Sequence, residues 1–279
     1  MKKTVLFLVA FISLNAFGKT DVNSIVEEGK LLYQSEMASW YGTDLFIASY
    51  QNQNNIGGYF SYVDNEQSKC IFYSRTENPK VIGTIIFDTT YNVKTAIVDL
   101  IERDFTSLEK ELYTIRTISS EIIYTDTLFK AYENTRLNLI PLINKNEKKV
   151  YILTGPQESG VVIFGNDYVL VFDKNNKLKT KRQLHRNIIP IYYSEEEGKK
   201  VETTIHSHLP ETGDYITATD ICTLMLYEKF AKWKQHNVVS EKYLNVWDCE
   251  KNELNIVPMN VIKKINEDNE KRKNANNKK

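Results

Sequence analysis

Apolar residues in the first part of the chain recur at spacings that are helical in some segments and extended in others. Residues 21–39 place apolar side chains three and four apart, which predicts an amphipathic helix. Helical spacing returns over 93–113. Strand-like runs separated by turn residues are predicted at 45–50, 58–63, 70–74 and 81–87. We therefore expect a small α+β region over 19–125, whose role the sequence does not indicate.

The second part of the chain predicts a further set of strands and helices. Asp126 is placed to cap a helix that runs to about residue 140. The runs 161–164 and 168–172 flank a Gly-Asn-Asp turn and predict a β-hairpin. A helix is expected over 217–235, and the polar segment 263–279 predicts a disordered tail. Further strands are expected at 150–153, 188–193, 201–208 and 237–248.

The first eighteen residues, 1–18, have the layout of a secretory signal peptide. Lys2 and Lys3 give a basic start, residues 5–17 are mostly apolar, and cleavage is expected near Gly18. The alternative is a retained membrane anchor, but the apolar run is shorter than the ~20 residues that a span needs. No later apolar run is long enough to cross a bilayer. We therefore expect an exported protein, either periplasmic or secreted.

Charge and cysteine content narrow the range of functions. The 279 residues include 36 Lys and Arg and 36 Asp and Glu, so no overall field favours nucleic acid or a membrane surface as a partner. Three cysteines are too few for a disulfide scaffold, and an odd number leaves at least one thiol unpaired within the chain. A Cys222–Cys249 bridge and buried free thiols are the two alternatives.

The residues that carry chemistry lie between positions 205 and 222, in the sequence IHSHLPETGDYITATDIC. Side chains two apart on a strand point to the same face, so His206 and His208 are able to reach one metal ion. Thr217 and Asp220 lie three apart, on one side of a helix's first turns. Two imidazoles and one carboxylate leave a fourth position open, which is typical of catalytic zinc.

The other titratable groups have simpler interpretations. His185 and His236 lack ligand partners at a suitable spacing and are expected to be structural or surface groups. The basic stretch over 177–186 is expected to be a solvated strand edge. Its alternative role is the binding of an anionic substrate such as a cell-wall polymer.

The histidine and aspartate pattern resembles the motif of the JAMM metallopeptidases, also called JAB or MPN proteins. That motif is His-x-His-Pro, six residues, Ser, two residues and Asp, with a glutamate upstream at the start of a glycine-containing strand. Here Leu209 is one extra residue before the proline, and Thr217 stands in place of the serine. Glu158, with Gly160 and an apolar run after it, fits the upstream glutamate. The resemblance covers about residues 126–262.

The resemblance implies a fold, a cofactor and a mechanism. The fold would be a JAMM-like, cytidine-deaminase-like mixed sheet flanked by helices, with Zn²⁺ bound by His206, His208 and Asp220. Glu158, not itself a ligand, would accept the proton of a zinc-activated water and pass it to the leaving amine. The Thr217 hydroxyl would stabilise the oxyanion, and its alternative role is to cap the helix.

Two functions follow from these observations. The first is an exported zinc peptidase or isopeptidase acting on peptides, on cross-linked protein tails or on cell-wall peptides. The second is a catalytically weak or inactive JAMM-fold binding module in the cell envelope. A third alternative places the function in residues 19–125, with the zinc site subordinate.

Overall fold

The computed structural model describes residues 22–145, 147–193 and 201–276. The predicted signal peptide lies outside these residues. Within them the chain forms four α-helices and fourteen strands, which confirms the expected α+β class. The helices are α1 (Val22–Ser49), α2 (Ser107–Thr125), α3 (Ala218–Ala231) and α4 (Met259–Asn276). The strands are β1 (Ile56–Asp64), β2 (Gln67–Ser74), β3 (Val81–Phe87), β4 (Ile97–Asp99), β5 (Thr135–Asn144), β6 (Glu147–Pro156), β7 (Val161–Gly165), β8 (Tyr168–Phe172), β9 (Leu178–Gln183), β10 (Ile188–Tyr192), β11 (Thr203–Ser207), β12 (Gln235–Val239), β13 (Tyr243–Asp248) and β14 (Glu253–Pro258).

Helix α1 packs along the first sheet, in which β1 to β4 are antiparallel and follow chain order. The buried positions of α1 recur every three or four residues as far as Phe46. The Phe46 ring stacks on Phe72 of β2, with ring centroids 3.8 Å apart. Burial of this face keeps the chain helical through Ser49, so the strand predicted at 45–50 is wrong.

Helix α2 begins later than the apolar pattern indicated. Residues 97–99 form β4, and the helix starts after Thr106, which forms a capping box with Glu109. Glu109 is buried and also pairs with Arg103 at 2.6 Å. The helix predicted over 93–113 is therefore wrong in its first half, because a strong cap inside the pattern sets the start.

A second antiparallel sheet has the order β5-β6-β8-β9, and α2 packs against β5 and β6. Strand β5 pairs with β6 in register from Thr135 to Asn144. The helix predicted from Asp126 to about residue 140 is therefore wrong, since long-range strand pairing overrides the local helical spacing. Pro141 is compatible with β5 because β5 is an edge strand, where a missing N–H breaks no ladder bond.

Strands β7 and β8 belong to different sheets, so the predicted hairpin between them is wrong. Strand β7 pairs with β10, whereas β8 lies between β6 and β9. Gly165 and Asn166 have positive φ values of 79° and 51°. This left-handed turn redirects the chain from one sheet to the other instead of folding it back on itself.

The third four-stranded sheet, β11-β12-β13-β14, carries a parallel pair. Strands β11 and β12 are parallel and α3 joins them, while the other pairs are antiparallel. The strand predicted at 237–248 is therefore two strands with a turn between them. Helix α1 crosses α3 closely, because a Cβ atom on Gly29 would lie only 2.7 Å from the Cβ atom of Ile221. Helix α1 thus packs against both the first sheet and α3.

The remaining expectations concern the cysteines and the C-terminal segment. Cys70, Cys222 and Cys249 are buried and unbridged, which confirms the free-thiol alternative. Residues 259–276 form α4, so the disordered tail expected from 263 is wrong over that range; its Lys, Glu and Arg are good helix formers. Among the described residues, no helix combines the length and apolar character needed to span a membrane.

Candidate metal centre

The candidate metal centre lies where β11 ends and α3 begins. In such parallel β-α-β units, ligands bind outside the carboxyl ends of the strands. His206 is in β11, and the N–H of His208 donates to the carbonyl of Val239 at 2.8 Å, which extends the ladder past the strand end. Asp220 lies in the first turn of α3. The three predicted ligands therefore come from adjacent ends of one unit.

Four buried side chains converge at this point. One ligand atom from each of His185, His206, His208 and Asp220 lies within 4.8 Å of the others. Nε2 of His208 is 3.0 Å from Nε2 of His185 and 3.2 Å from Oδ2 of Asp220. Nε2 of His206 is 3.7 Å from Oδ1 of Asp220. A tetrahedral zinc ion with bonds of about 2.0–2.1 Å separates its ligand atoms by about 3.3 Å, so this cluster could hold one metal ion.

Two of the candidate ligand atoms have no hydrogen-bond partner among the described residues. Nε2 of His206 and Oδ1 of Asp220 are buried, and neither forms a hydrogen bond with a described residue. An unsatisfied buried polar atom costs about 1–3 kcal/mol, and a bound cation would satisfy both. Nδ1 of His208 is also without a described partner.

His185 is the member of the cluster that the sequence did not indicate. It lies between β9 and β10, and its Nδ1 is 2.7 Å from Oδ1 of Asp167, in the turn after β7. The N–H of His185 donates to the same oxygen at 3.1 Å, and the N–H of Leu184 donates to the carbonyl of Asp167 at 2.8 Å. The expectation that His185 lacks suitable partners is therefore wrong.

The contact between two loops brings His185 into the cluster, and local spacing does not encode that contact. The Gly165-Asn166-Asp167 sequence predicts a turn but not its neighbour. The approach is close, since a Cβ atom on Gly165 would lie 2.3 Å from the carbonyl oxygen of Asn187. The one hint in the sequence is an acidic residue, Asp167, two positions after the buried apolar strand β7.

A second layer of polar groups fixes the ring of His206. Its Nδ1 is 2.8 Å from Nε2 of His236, and Nδ1 of His236 is 2.7 Å from the hydroxyl of Thr204. Thr204 and His236 are register partners in the parallel pair β11 and β12. A partner on the distal nitrogen sets the tautomer and orientation of a ligating imidazole. His236 is therefore a buried group that orients a ligand.

Thr217 holds the carboxylate of Asp220 in place by capping α3. The Thr217 hydroxyl accepts a bond from the N–H of Asp220 at 3.1 Å, and it donates to Oδ2 of Asp220 at 2.7 Å. The backbone N–H of Thr217 also donates to Oδ2 of Asp220, at 2.9 Å, and this bond completes a capping box with the one from the N–H of Asp220. The capping box confirms the alternative role expected for Thr217. The hydroxyl of Thr219 donates to the carboxylate of Asp167, so the same helical turn contacts the residue that holds His185.

Burial and neighbouring charges shift the pKa values of the cluster in different directions. Burial alone would lower the pKa of His185, but the carboxylates of Asp167 and Asp220 outweigh it and raise that pKa to about 9. Burial lowers the pKa of His206 to about 4 and that of His236 to about 3. Against the effect of burial, His185 and the other imidazoles hold the pKa of Asp220 well below its usual range. His206 is therefore neutral at pH 7, the form that binds a metal.

Glu158 lies outside the cluster. It is exposed in the turn between β6 and β7, and its carboxylate accepts a hydrogen bond from the side-chain amide of Asn134. Strand β7 leads away from this turn, and its five residues span about 16 Å before the chain reaches Asp167. No described contact joins Glu158 to the four ligands, so the structure does not bring the predicted general base to the metal centre.

The four clustered side chains are buried, whereas Leu209, the extra residue in the motif, is exposed. The exposed fraction of the side chain is 4% for His185 and 1% or less for the other three ligands. Leu209 lies in the loop after β11 and is 45% exposed. Glu211 of this loop forms an ion pair at 2.7 Å with Arg186, which lies between β9 and β10. The loop therefore accommodates the insertion without separating the ligands.

Comparisons of this chain with protein-family models, with curated proteins and with solved structures find no match. The likeness to the JAMM metallopeptidases therefore stays a prediction from the motif. The geometry of the four ligands and their supporting groups carries the functional argument.

Proposed function

We propose that this protein is an exported zinc-dependent hydrolase of peptide or isopeptide bonds, with a metal site of the JAMM type on a JAMM-like fold. One observation carries the proposal. His206, His208 and Asp220, at nearly the spacing of that motif, present buried ligand atoms around one point, and two of those atoms have no other partner. A metal-activated water beside a peptide carbonyl is the chemistry that such a site supports best.

The donor set suits zinc better than the other common divalent cations. Zinc accepts imidazole nitrogen and carboxylate oxygen together, whereas Mg²⁺ and Ca²⁺ prefer oxygen ligands alone. When bound, zinc would polarise the scissile carbonyl and lower the pKa of a water towards ~7. The chain's own contribution is to fix the ligands, because Thr217 holds Asp220 and His236 holds His206.

His185, with Asp167 behind it, is the group best placed to move a proton. Its Nε2 faces the same point as the ligands, while Asp167 holds its Nδ1. A carboxylate behind an imidazole fixes the tautomer and stabilises the protonated ring. In this proposal three residues hold the ion, whose positive charge would lower the pKa of His185 from about 9 and leave its ring neutral. Nε2 of His185 would then accept a proton from the attacking water and pass it to the leaving amine. His185 thus takes the role that the resemblance gives to Glu158.

A second candidate function is a non-hydrolytic binding module of the cell envelope with a closed zinc site. The number of protein ligands favours it. With His185 as a fourth ligand, every tetrahedral position is filled, which is the arrangement of structural zinc sites. The low exposure of the four side chains points the same way. Zinc would then stabilise the fold and supply no chemistry.

Metal content and hydrolysis, measured together, separate the two candidates. Purified protein is expected to carry about one zinc per chain and to cleave members of a peptide library in a chelator-sensitive way, detected by mass spectrometry. The library includes isopeptide-linked and cell-wall stem peptides. Asp220→Asn is expected to abolish both zinc binding and cleavage.

His185→Ala gives opposite results under the two candidates. If His185 moves protons, the variant keeps its zinc and loses cleavage. If His185 is a ligand of a closed site, the variant binds zinc much more weakly and the unaltered protein cleaves nothing. Asp44→Asn, at an exposed position of α1, is the matched control and should change neither property. A folded protein that takes up no zinc would refute both candidates.

Export has its own test. Fractionation of the producing cells, followed by N-terminal sequencing, is expected to find a mature chain that begins near Lys19 outside the cytoplasm. A chain that keeps Met1 in the cytoplasm would contradict export without affecting the metal proposal.

A further inference from the structure

A second polar site is present in the protein, and it shares no lining residue with the metal centre. A cavity of about 390 Å³ is enclosed by α1, β1, α2 and β5. Its buried lining includes Ser35, Phe60 and Ser61, whereas Tyr124 and Arg136 are exposed and lie at its rim. This volume falls in the range of small-molecule sites.

Three charged side chains line the cavity, and none of them has a salt bridge among the described residues. They are Glu36 from α1, Arg116 from α2 and Arg136 from β5. The carboxylate of Glu36 accepts one long hydrogen bond, from the side-chain amide of Asn138 at 3.3 Å. The Nε atom of Arg116 is buried and has no hydrogen-bond partner among the described residues.

Polar atoms withdrawn from water in folded proteins are normally paired, so the unpartnered Nε of Arg116 beside this cavity indicates a missing partner. Glu36 and Arg116 are half-buried, and Arg136 is exposed. Burial raises the pKa of Glu36 to about 7, against the opposing effect of Arg116. The serines beside it are already fixed, because Ser35 donates to the carbonyl of Ser61 at 2.9 Å and the Ser39 and Ser61 hydroxyls are 2.8 Å apart. The polar floor is therefore preorganised, and no described salt bridge joins the charged side chains around it.

We propose that this cavity binds a small amino acid or short peptide that carries one ammonium group and two carboxylates. The ammonium group would face Glu36, and the carboxylates would face Arg116 and Arg136, whose planar guanidinium groups suit carboxylate oxygens. The ligand's net negative charge complements two guanidinium groups and one carboxylate. Ile123 and Leu137 supply apolar walls for its carbon skeleton. The inference does not depend on metal binding or hydrolysis.

Calorimetric titration of the full chain with defined probes tests the ligand chemistry. The probes are L-glutamate and the dipeptide alanylglutamate, together with glutarate, which lacks the ammonium group, and 4-aminobutyrate, which lacks one carboxylate. We expect glutamate or the dipeptide to bind, and the loss of either charged group from glutamate to weaken binding by about tenfold or more. Chelator treatment that leaves the protein folded should not alter these results.

Two conservative variants connect the ammonium group and one carboxylate of the ligand to their proposed partners. Glu36→Gln is expected to remove the preference for glutamate over glutarate, and Arg136→Gln to reduce the preference for glutamate over 4-aminobutyrate. Arg182→Gln, at an exposed position of β9, is the matched control. Failure of both glutamate and the dipeptide to bind the folded protein at millimolar concentration would overturn the proposal. Binding that neither variant changes would overturn it equally.

Discussion

The candidate metal centre and the cavity differ in whether their carboxylates have partners within the protein. In the metal centre each carboxylate has protein partners: Asp167 contacts His185 and Thr219, and Asp220 is held by Thr217. In the cavity, the one hydrogen bond that a described residue gives to the Glu36 carboxylate is the 3.3 Å bond from Asn138, although burial raises the pKa of Glu36 to about 7. In the candidate metal centre, four side chains converge on one point. In the cavity, Glu36, Arg116 and Arg136 lie around an open space.

This difference follows from the elements that build each site. The metal ligands come from a parallel strand–helix unit and two loops in direct contact, so short backbone and side-chain bonds fix every group. The cavity lies where two helices and two strands meet without filling the space between them. Under the proposed function, a cation would stabilise the first site. In the second site, the proposed ligand would pair with Glu36, Arg116 and Arg136.

Removal of the metal is expected to have the largest effect on stability. A ligand present at about 1,000 times its dissociation constant stabilises the native state by about 4 kcal/mol, and each kcal/mol shifts the Tm of a chain of this size by about 2–4 °C. Chelator should therefore lower the Tm, measured by scanning calorimetry, by about 8–16 °C. Asp220→Asn should melt like the chelated protein and should not respond to chelator. Asp44→Asn should keep the full shift, and zinc-loaded protein with an unchanged Tm would contradict this prediction.

The cavity predicts a dependence of stability on pH that originates at Glu36. The pKa of Glu36 rises from 4.5 to about 7 on folding, so the folded state binds more protons between these values. Glu228 and His185, whose folded pKa values are also raised, lose stability over their own pH ranges. The contribution of Glu36 itself falls by up to about 3 kcal/mol as the pH rises from about 4.5 to 7, and it changes no further above that range. Glu36→Gln should remove this loss and should be more stable than the unaltered protein at pH 8. Urea denaturation at pH 5 and pH 8 provides the measurement.

The control for this prediction is Glu121→Gln, at an exposed position of α2. It should keep the pH dependence of the unaltered protein. If Glu36→Gln shows the same loss of stability from pH 5 to pH 8 as the control, then Glu36 is not the buried acid that the cavity requires.

Sequence reasoning found the part of the metal centre that local spacing encodes. His206, His208 and Asp220 lie close together in the chain, and strand and helix periodicities are sufficient to bring their side chains to one side. His185 joins them through a contact between two loops. Glu158 matched the motif in sequence, but the direction of β7 carries it away from the ligands. The motif therefore identified three of the four clustered side chains, and it did not identify His185, to which we assign proton transfer.

The elements of the fold likewise include some that the local apolar pattern predicted and some that it did not. The helices α1 and α3 follow the apolar pattern, because their buried faces agree with their local preference. Strand β5 does not, because its pairing with β6 overrides a helical spacing over the same residues. The cavity was beyond prediction from the sequence, since Glu36, Arg116 and Arg136 lie on three separate elements and only tertiary packing brings them together.

Substitution of Asp167, which contacts His185 from outside the cluster, is expected to have an effect of intermediate size. Asp167→Asn keeps the size of the side chain but removes the charge that orients His185. If His185 moves protons, the variant should lose hydrolysis and keep its zinc affinity. If His185 is a fourth ligand, zinc affinity should fall by about 10–100-fold. Competition with a chromophoric chelator measures this affinity. Glu158→Gln is the informative control, because it should leave both zinc affinity and hydrolysis unchanged. Loss of hydrolysis in Glu158→Gln would return the general-base role to Glu158 and contradict the assignment to His185.

The smallest expected effect concerns the packing of α1, which contacts α3 beside the metal centre and carries Glu36 at the cavity. Gly29→Ala would place a Cβ atom 2.7 Å from the Cβ atom of Ile221, and overpacking of this kind costs about 1–3 kcal/mol. The better helix propensity of alanine offsets about 1 kcal/mol, so a net loss of about 1 kcal/mol is expected in urea denaturation. Gly155→Ala is the control, since its nearest contact would be 3.7 Å. If Gly29→Ala is as stable as Gly155→Ala, the two helices can separate without loss, and close packing of α1 does not couple the metal centre to the cavity.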